Sequence, residues 1–150
     1  MKITDSYENI SIVQIDLFEE TYQVRIPQVY KDFLLRQNGG ESKPDMFNYW
    51  VEYIGKSGNG IRRFLGIHES EFYSLNYWFR TEKVWMIRDY FPIAHCGNGD
   101  DLVICVKGKN ENKIFIWRHE FHAKDNPVFV AESLESFLNS LHEYIDGEEQ

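Results

Sequence analysis

"FPIAHCGNGDDLVICVKG", Phe91 to Gly108, sets two short apolar runs on either side of a Gly-Asn-Gly turn and a pair of aspartates. Both runs have strand length, and Gly97 and Gly99 supply the positive φ that a sharp reversal needs. A third run, "KIFIWR" at Lys113–Arg118, follows after Gly108-Lys109-Asn110-Glu111-Asn112. Connections this short join antiparallel neighbours, so the three runs read as an antiparallel meander.

Upstream, the hydrophobic period is that of helices. Ser11-x-x-Gln14 has capping-box spacing, and Ile12, Ile15, Phe18 and Tyr22 follow at steps of three or four, giving one apolar face. Ile26-Pro27 opens a second helix, with Tyr30, Phe33, Leu34 and Gln37 on one side. Asn38-Gly39-Gly40 stops it, since Asn and Gly accept the left-handed conformation of a helix C-cap.

The period then changes to two. "FNYWVEY" sets Phe47, Tyr49, Val51 and Tyr53 against Asn48, Trp50 and Glu52, which predicts a half-buried strand with Trp50 facing away from the core. "GKSGNG" reads as loop punctuation and "IRRFLGI" as the next strand. Glu69 to Arg80 reads as a helix with Phe72, Leu75 and Phe79 in phase, although its aromatic content also suits a strand. A last helix is predicted from about Ala131 to Ile145, with Leu134, Phe137, Leu138, Leu141 and Tyr144 inward. Helices, then strands, then a helix define an α+β fold, and no repeat or linker divides residues 1–150 into more than one domain.

Composition narrows the function. The start, "MKITDSYENI", lacks the apolar core of a signal peptide, and two cysteines suit a reduced, cytoplasmic chain better than a disulfide scaffold. No apolar run has the length of a membrane helix. The net charge is −8, and from His119 onward eight acidic residues face one basic residue, Lys124. Such an end repels phosphate backbones, which argues against nucleic acid as a direct ligand. It is either a solvated face or a surface for a basic partner.

The chemistry-bearing residues do not assemble into a motif. His95 and Cys96 are adjacent and so point to opposite faces of a strand. A metal site from His95, Cys96, His119 and His122 would lack the spacing of known zinc patterns, and no metal or other cofactor is expected. Cys105, mid-strand, reads as a small core residue. Asp100 and Asp101 could serve acid–base chemistry, but acids at the mouth of a hairpin are more often solvated. The aromatics say more: Trp50, Tyr73, Tyr77, Trp78 and Trp85 exceed what a small core needs, and aromatics edged by charge build protein–protein contacts.

"IPQVYKDFLLRQNGG" (Ile26–Gly40) resembles the signature of the SMI1/KNR4, or SUKH, superfamily. The downstream order agrees: the turn in "FPIAHCGNGDDLVICVKG", the strand "KIFIWRHE" with its His-Glu end, and the closing "VAESLESFLNSL". The likeness spans about residues 10 to 144, while Trp50 to Arg88 matches nothing in it and His95-Cys96 and Asn98 interrupt the usual glycine run. It implies a bent, largely antiparallel sheet flanked by N-terminal and C-terminal helices. Bacterial members are largely non-enzymatic immunity proteins that bind and neutralise a co-encoded toxin, frequently a nuclease; fungal relatives are scaffolds regulating cell-wall synthesis. A cognate basic toxin is therefore the expected partner. Asp100, Asp101 and Glu120, from the matched turn and His-Glu, and Trp50, from periodicity, are the candidate contacts. His119 is expected to tie the strand end to the turn by a buried hydrogen bond.

Overall fold

A computed structural model describes residues 1–81 and 89–145. Trp85 and the acids Asp146, Glu148 and Glu149 lie outside them.

The chain opens with a short strand, β1 (Lys2–Thr4), followed by helices α1 (Ile12–Tyr22) and α2 (Gln28–Arg36). Ser11 caps α1 in a capping box with Gln14, as the spacing predicts. Ile15 and Phe18 are buried, but Ile12 is exposed, so the buried face of α1 is narrower than its period suggests. Glu19 fastens the connection: one carboxylate oxygen accepts from the Ile26 amide at 2.7 Å and the other pairs with Lys31 at 3.3 Å. On α2 the Tyr30 hydroxyl reaches across the core to the carbonyls of Leu65 and Ile93, at 2.5 and 2.9 Å. One phenol hydrogen, shared between these two backbone carbonyls, thus holds the helix on the sheet.

The Asn38-Gly39-Gly40 stop works differently from a simple C-cap. Gln37 ends α2 in extended conformation. Asn38 is buried, donating to the carbonyls of Glu8 and Ile67 and accepting from the Ile67 amide. Gly39, at φ 73°, runs against the backbone of Gly66, where any Cβ would sit 2.7 Å from the Gly66 nitrogen. The tripeptide is a docking point between helix and sheet, and close approach is what demands the glycine.

After β2 (Glu41–Lys43), which pairs with β1, the six-stranded sheet runs β3 (Met46–Val51), β4 (Gly55–Phe64), β5 (Tyr90–Cys96), β6 (Asp101–Cys105), β7 (Ile114–Trp117) and β8 (Val128–Ala131). Neighbours in sequence are neighbours in the sheet, and every ladder is antiparallel. The meander β5–β6–β7 is as read. "GKSGNG", however, is not a loop but the first half of β4. That half pairs with β3 and the second half with β5, with a register shift between Ile61 and Arg63. Glycine is admitted because β3 comes close: a Cβ on Gly60 would meet the Met46 sulfur at 3.2 Å. The two-part pairing of β4 bends the sheet.

Two further helices are shorter than their periodicity predicts. α3 covers Leu75–Thr81, capped by the Ser74 hydroxyl, and Phe72 stays outside and exposed. α4 covers only Leu134–Asn139, capped by Ser133. Ala131 belongs to β8, and beyond Ser140 the backbone of His142 exchanges two hydrogen bonds with Met46, which competes with helix continuation. Leu134, Phe137 and Leu141 are buried as predicted, but Tyr144 is exposed. The main core lies between the helices and one sheet face, around Tyr30, Phe47, Phe64, Ile93, Leu102, Ile116 and Phe137. On the other face Val103, Cys105, Phe115 and Trp117 form a smaller buried cluster with Tyr90. The result is the α+β architecture, with a bent antiparallel sheet flanked by helices.

Candidate functional site

The turn between β5 and β6 is built around two buried carboxylates. Asp100 and Asp101 are 5% and 4% exposed, which corrects the expectation of solvated acids. Successive residues of a strand face opposite ways, so the pair serves both sides of the sheet. Asp100 Oδ1 lies 3.0 Å from the His119 amide and 2.5 Å from its Nδ1. Asp100 Oδ2 accepts from Asn98 at 3.1 Å and from Asn59 at 3.4 Å. One carboxylate therefore joins β4, the turn and the chain just after β7. Gly99, at φ 94°, leaves room for the His119 ring, whose atoms lie 3.4 to 3.6 Å from where a Cβ would be. The predicted tie between His119 and the turn is present, although the imidazole is partly exposed rather than buried.

Asp101 makes the corresponding bond on the other side. Its Oδ1 lies 2.5 Å from Nδ1 of His95, whose ring meets Tyr73 edge-on at 5.7 Å. The Tyr73 hydroxyl accepts from Arg62 Nε at 2.8 Å. These residues, with Phe72, Gly97 and Gly99, line an open groove of about 380 Å³.

A smaller groove of about 180 Å³ lies on the Asp100 side, lined by Tyr49, Ile54, Asn98, Arg118, Glu120 and Phe121 among others. Arg118 is buried, donates to the Asp125 carbonyl at 2.6 Å and lies 3.8 Å from the centre of the Phe121 ring. Burial pushes the Tyr49 hydroxyl up from its ordinary value, with the Asp100 carboxylate adding to the rise and Arg118 opposing it. Tyr49 is thus a neutral hydrogen-bonding group near neutral pH. Glu120 projects from the rim, 3.6 Å from His119 Nε2.

The β3–β4 hairpin closes this groove from above. Trp50 is 69% exposed on the outer face of β3, as the alternation predicts, and its ring lies over Gly55, whose Cβ position would be 3.8 Å from Cη2. Ile54 is also exposed and lines the groove. Tyr53, expected inward, turns instead into solvent, because β3 ends at Val51 and the chain reverses there. Of the other grouped aromatics, Tyr73 and Tyr77 are half-buried, whereas Trp78 is core.

The structure brings Asp100 and Glu120 to one groove and sets Trp50 on the hairpin beside it, while Asp101 belongs to the other. Sequence reasoning missed Tyr53, Ile54 and Phe121. Their signal was available in part: a strand ending in "VEYIG" puts apolar residues at a reversal, where polar ones are usual.

As for chemistry, burial pushes the Cys96 thiol well above its ordinary range, and the Asp100 and Asp101 carboxylates raise it further. A thiol so held is a poor nucleophile near neutral pH. Among the described residues no group of three or more His, Cys, Asp or Glu side chains is arranged to hold a metal, and no helix is long and apolar enough to cross a membrane.

A bent antiparallel sheet with two helices packed ahead of it, an Asn-Gly-Gly dock and a carboxylate-locked turn define the architectural class. The SMI1/KNR4 family (SUKH-1) model matches residues 9–140, and the chain belongs to that family. No curated protein matches it significantly.

Proposed function

We propose that this chain is a non-enzymatic immunity protein that binds a co-encoded toxin and neutralises it by covering its working surface. Family membership supports the class, since SUKH domains are generally immunity proteins. The observation that carries the reading is the rim of the Asp100 groove. There Ile54 and Phe121 stand exposed beside Glu120, and Trp50 is exposed on the outer face of the same β3–β4 hairpin. Large apolar side chains left in water and edged by acid form a contact surface rather than a reaction centre.

Trp50 and Glu120 touch the partner in this reading, while Asp100 and Asp101 act at one remove by fixing the turn and the chain after β7. With a net charge of −8, the partner of best fit is a basic protein. A nuclease is such a protein, because its surface holds phosphates. Occupying that surface would block substrate, and opposite charge would speed association. The chain acts as one domain in the cytoplasm and has no direct contact with nucleic acid or membrane.

Co-purification with the product of the adjacent gene, at low and at high salt, tests the reading. The expected result is a one-to-one complex that blocks that product's activity and weakens with salt. No complex with a toxin-like neighbour would overturn immunity and favour the scaffold role of the fungal relatives.

A further inference from the structure

Tyr53 is 98% exposed and has φ 71°. The Ile54 amide donates to the Val51 carbonyl at 3.1 Å, so the chain reverses in a four-residue turn with Tyr53 third. Gly55 follows at φ 98°. A third turn residue with positive φ is ordinarily Gly or Asn, because in left-handed backbone Cβ crowds the following carbonyl. A bulky aromatic there is an outlier. At that exposure its ring gains almost nothing from the rest of the chain. A strained residue with no return inside the fold points to a use outside it.

We infer that Tyr53 is the point of a plug: the β3–β4 hairpin tip enters a cleft on the partner protein, with Trp50 and Ile54 as its flanks. The tip is convex and carries three large side chains, so its counterpart is concave and apolar at its floor. Glu52, exposed beside Tyr53, and Glu120, exposed at the groove below, outnumber Lys56, the one cation at the tip of the hairpin. The mouth of the cleft is therefore cationic. Trp50 is held in advance, across from Lys56 in the ladder and over Gly55, so little of its freedom is lost on docking. This deepens the immunity reading and rests on it, since the cleft is that of the toxin. Occlusion becomes insertion, a mode that needs no wide interface to block a substrate.

The test separates fold from function at one position. Tyr53→Asn, which suits the backbone, keeps or raises Tm, because the strain is relieved. The same variant binds the purified product of the adjacent gene about 30-fold more weakly by calorimetric titration. Tyr53→Phe keeps the ring and binds within a few-fold of the wild-type chain. If the wild-type chain binds and Tyr53→Asn binds equally well, the plug is wrong while immunity stands. If Tyr53→Asn lowers Tm by more than about 5 °C, the residue serves the fold and the inference falls. If the wild-type chain does not bind, the immunity reading fails and takes the plug's partner with it.

Discussion

Asp100 holds His119 twice, by its amide and by its imidazole, through a single carboxylate oxygen. The bond spans nineteen residues of sequence and joins the β5–β6 turn to the start of the acidic segment that carries Glu120. Removing the carboxylate would leave the part-buried His119 amide and the Asn98 side chain without their acceptor, and Asn59 with Asn98 alone. Asp100→Ala should therefore cost about 2–4 kcal/mol in urea unfolding. His119→Ala, which removes only a partly exposed ring, should cost about 1 kcal/mol. Equal costs would mean that the backbone bond contributes little.

Trp50 and Trp78 look alike in sequence and lie at opposite extremes of exposure. Trp78→Ala empties a core position and should lose about 3–5 kcal/mol. Trp50→Ala should change stability by less than about 0.5 kcal/mol while weakening the partner complex by about 2 kcal/mol. Chemical denaturation and titration of the two variants side by side would show it. A Trp50→Ala variant that binds normally would remove the hairpin from the interface.

Charge should govern the rate of association more than the lifetime of the complex. Glu120 is a rim residue, so Glu120→Lys should slow the on-rate several-fold at low ionic strength and leave the off-rate nearly unchanged. The difference from the wild-type chain should shrink as salt rises, because exposed charges are screened. Stopped-flow mixing at two salt concentrations measures both. An effect confined to the off-rate would place Glu120 inside the interface.

Two buried acids set the alkaline limit of stability. Burial raises the Cys96 thiol above 9.0 and the Tyr30 hydroxyl above 10.0, their ordinary values. Both groups are neutral when protonated, so the fold binds these protons more tightly than the unfolded chain does. Their contribution is full below pH 9.0 and is lost as pH rises through the higher folded-state values. Stability should thus be insensitive to these groups near neutrality and fall above about pH 9. Cys96→Ala should move the start of that fall upward, and Cys96 in the folded chain should resist thiol reagents. Fast modification at neutral pH would contradict the burial argument.

Much of this fold can be read in the chain, and the exceptions share a cause. The α1 cap at Ser11, the faces of α2 and the β5–β6–β7 meander follow from periodicity and turn chemistry, which are local. Family likeness added the bend of the sheet. "GKSGNG" misled because its glycines answer to neighbours on β3, Trp50 over Gly55 and Met46 over Gly60, that no local pattern reveals. α4 ends early for a similar reason, since His142 pairs with Met46 far back in sequence. The site divides in the same way. Trp50 was legible as an outward position on an alternating strand. The burial of Asp100 and Asp101 was not, because the groups that pair with them, Asn59, His95 and His119, come together only in the folded sheet. Tyr53 escaped because alternation was extended past the end of β3, where the turn reverses it.

The most direct measurement titrates this protein against the toxic activity of the adjacent gene's product. Neutralisation by direct binding predicts that activity falls linearly and reaches zero at one equivalent, with Tyr53→Asn and Trp50→Ala needing a large excess. Activity that persists at several equivalents of folded protein would contradict the account.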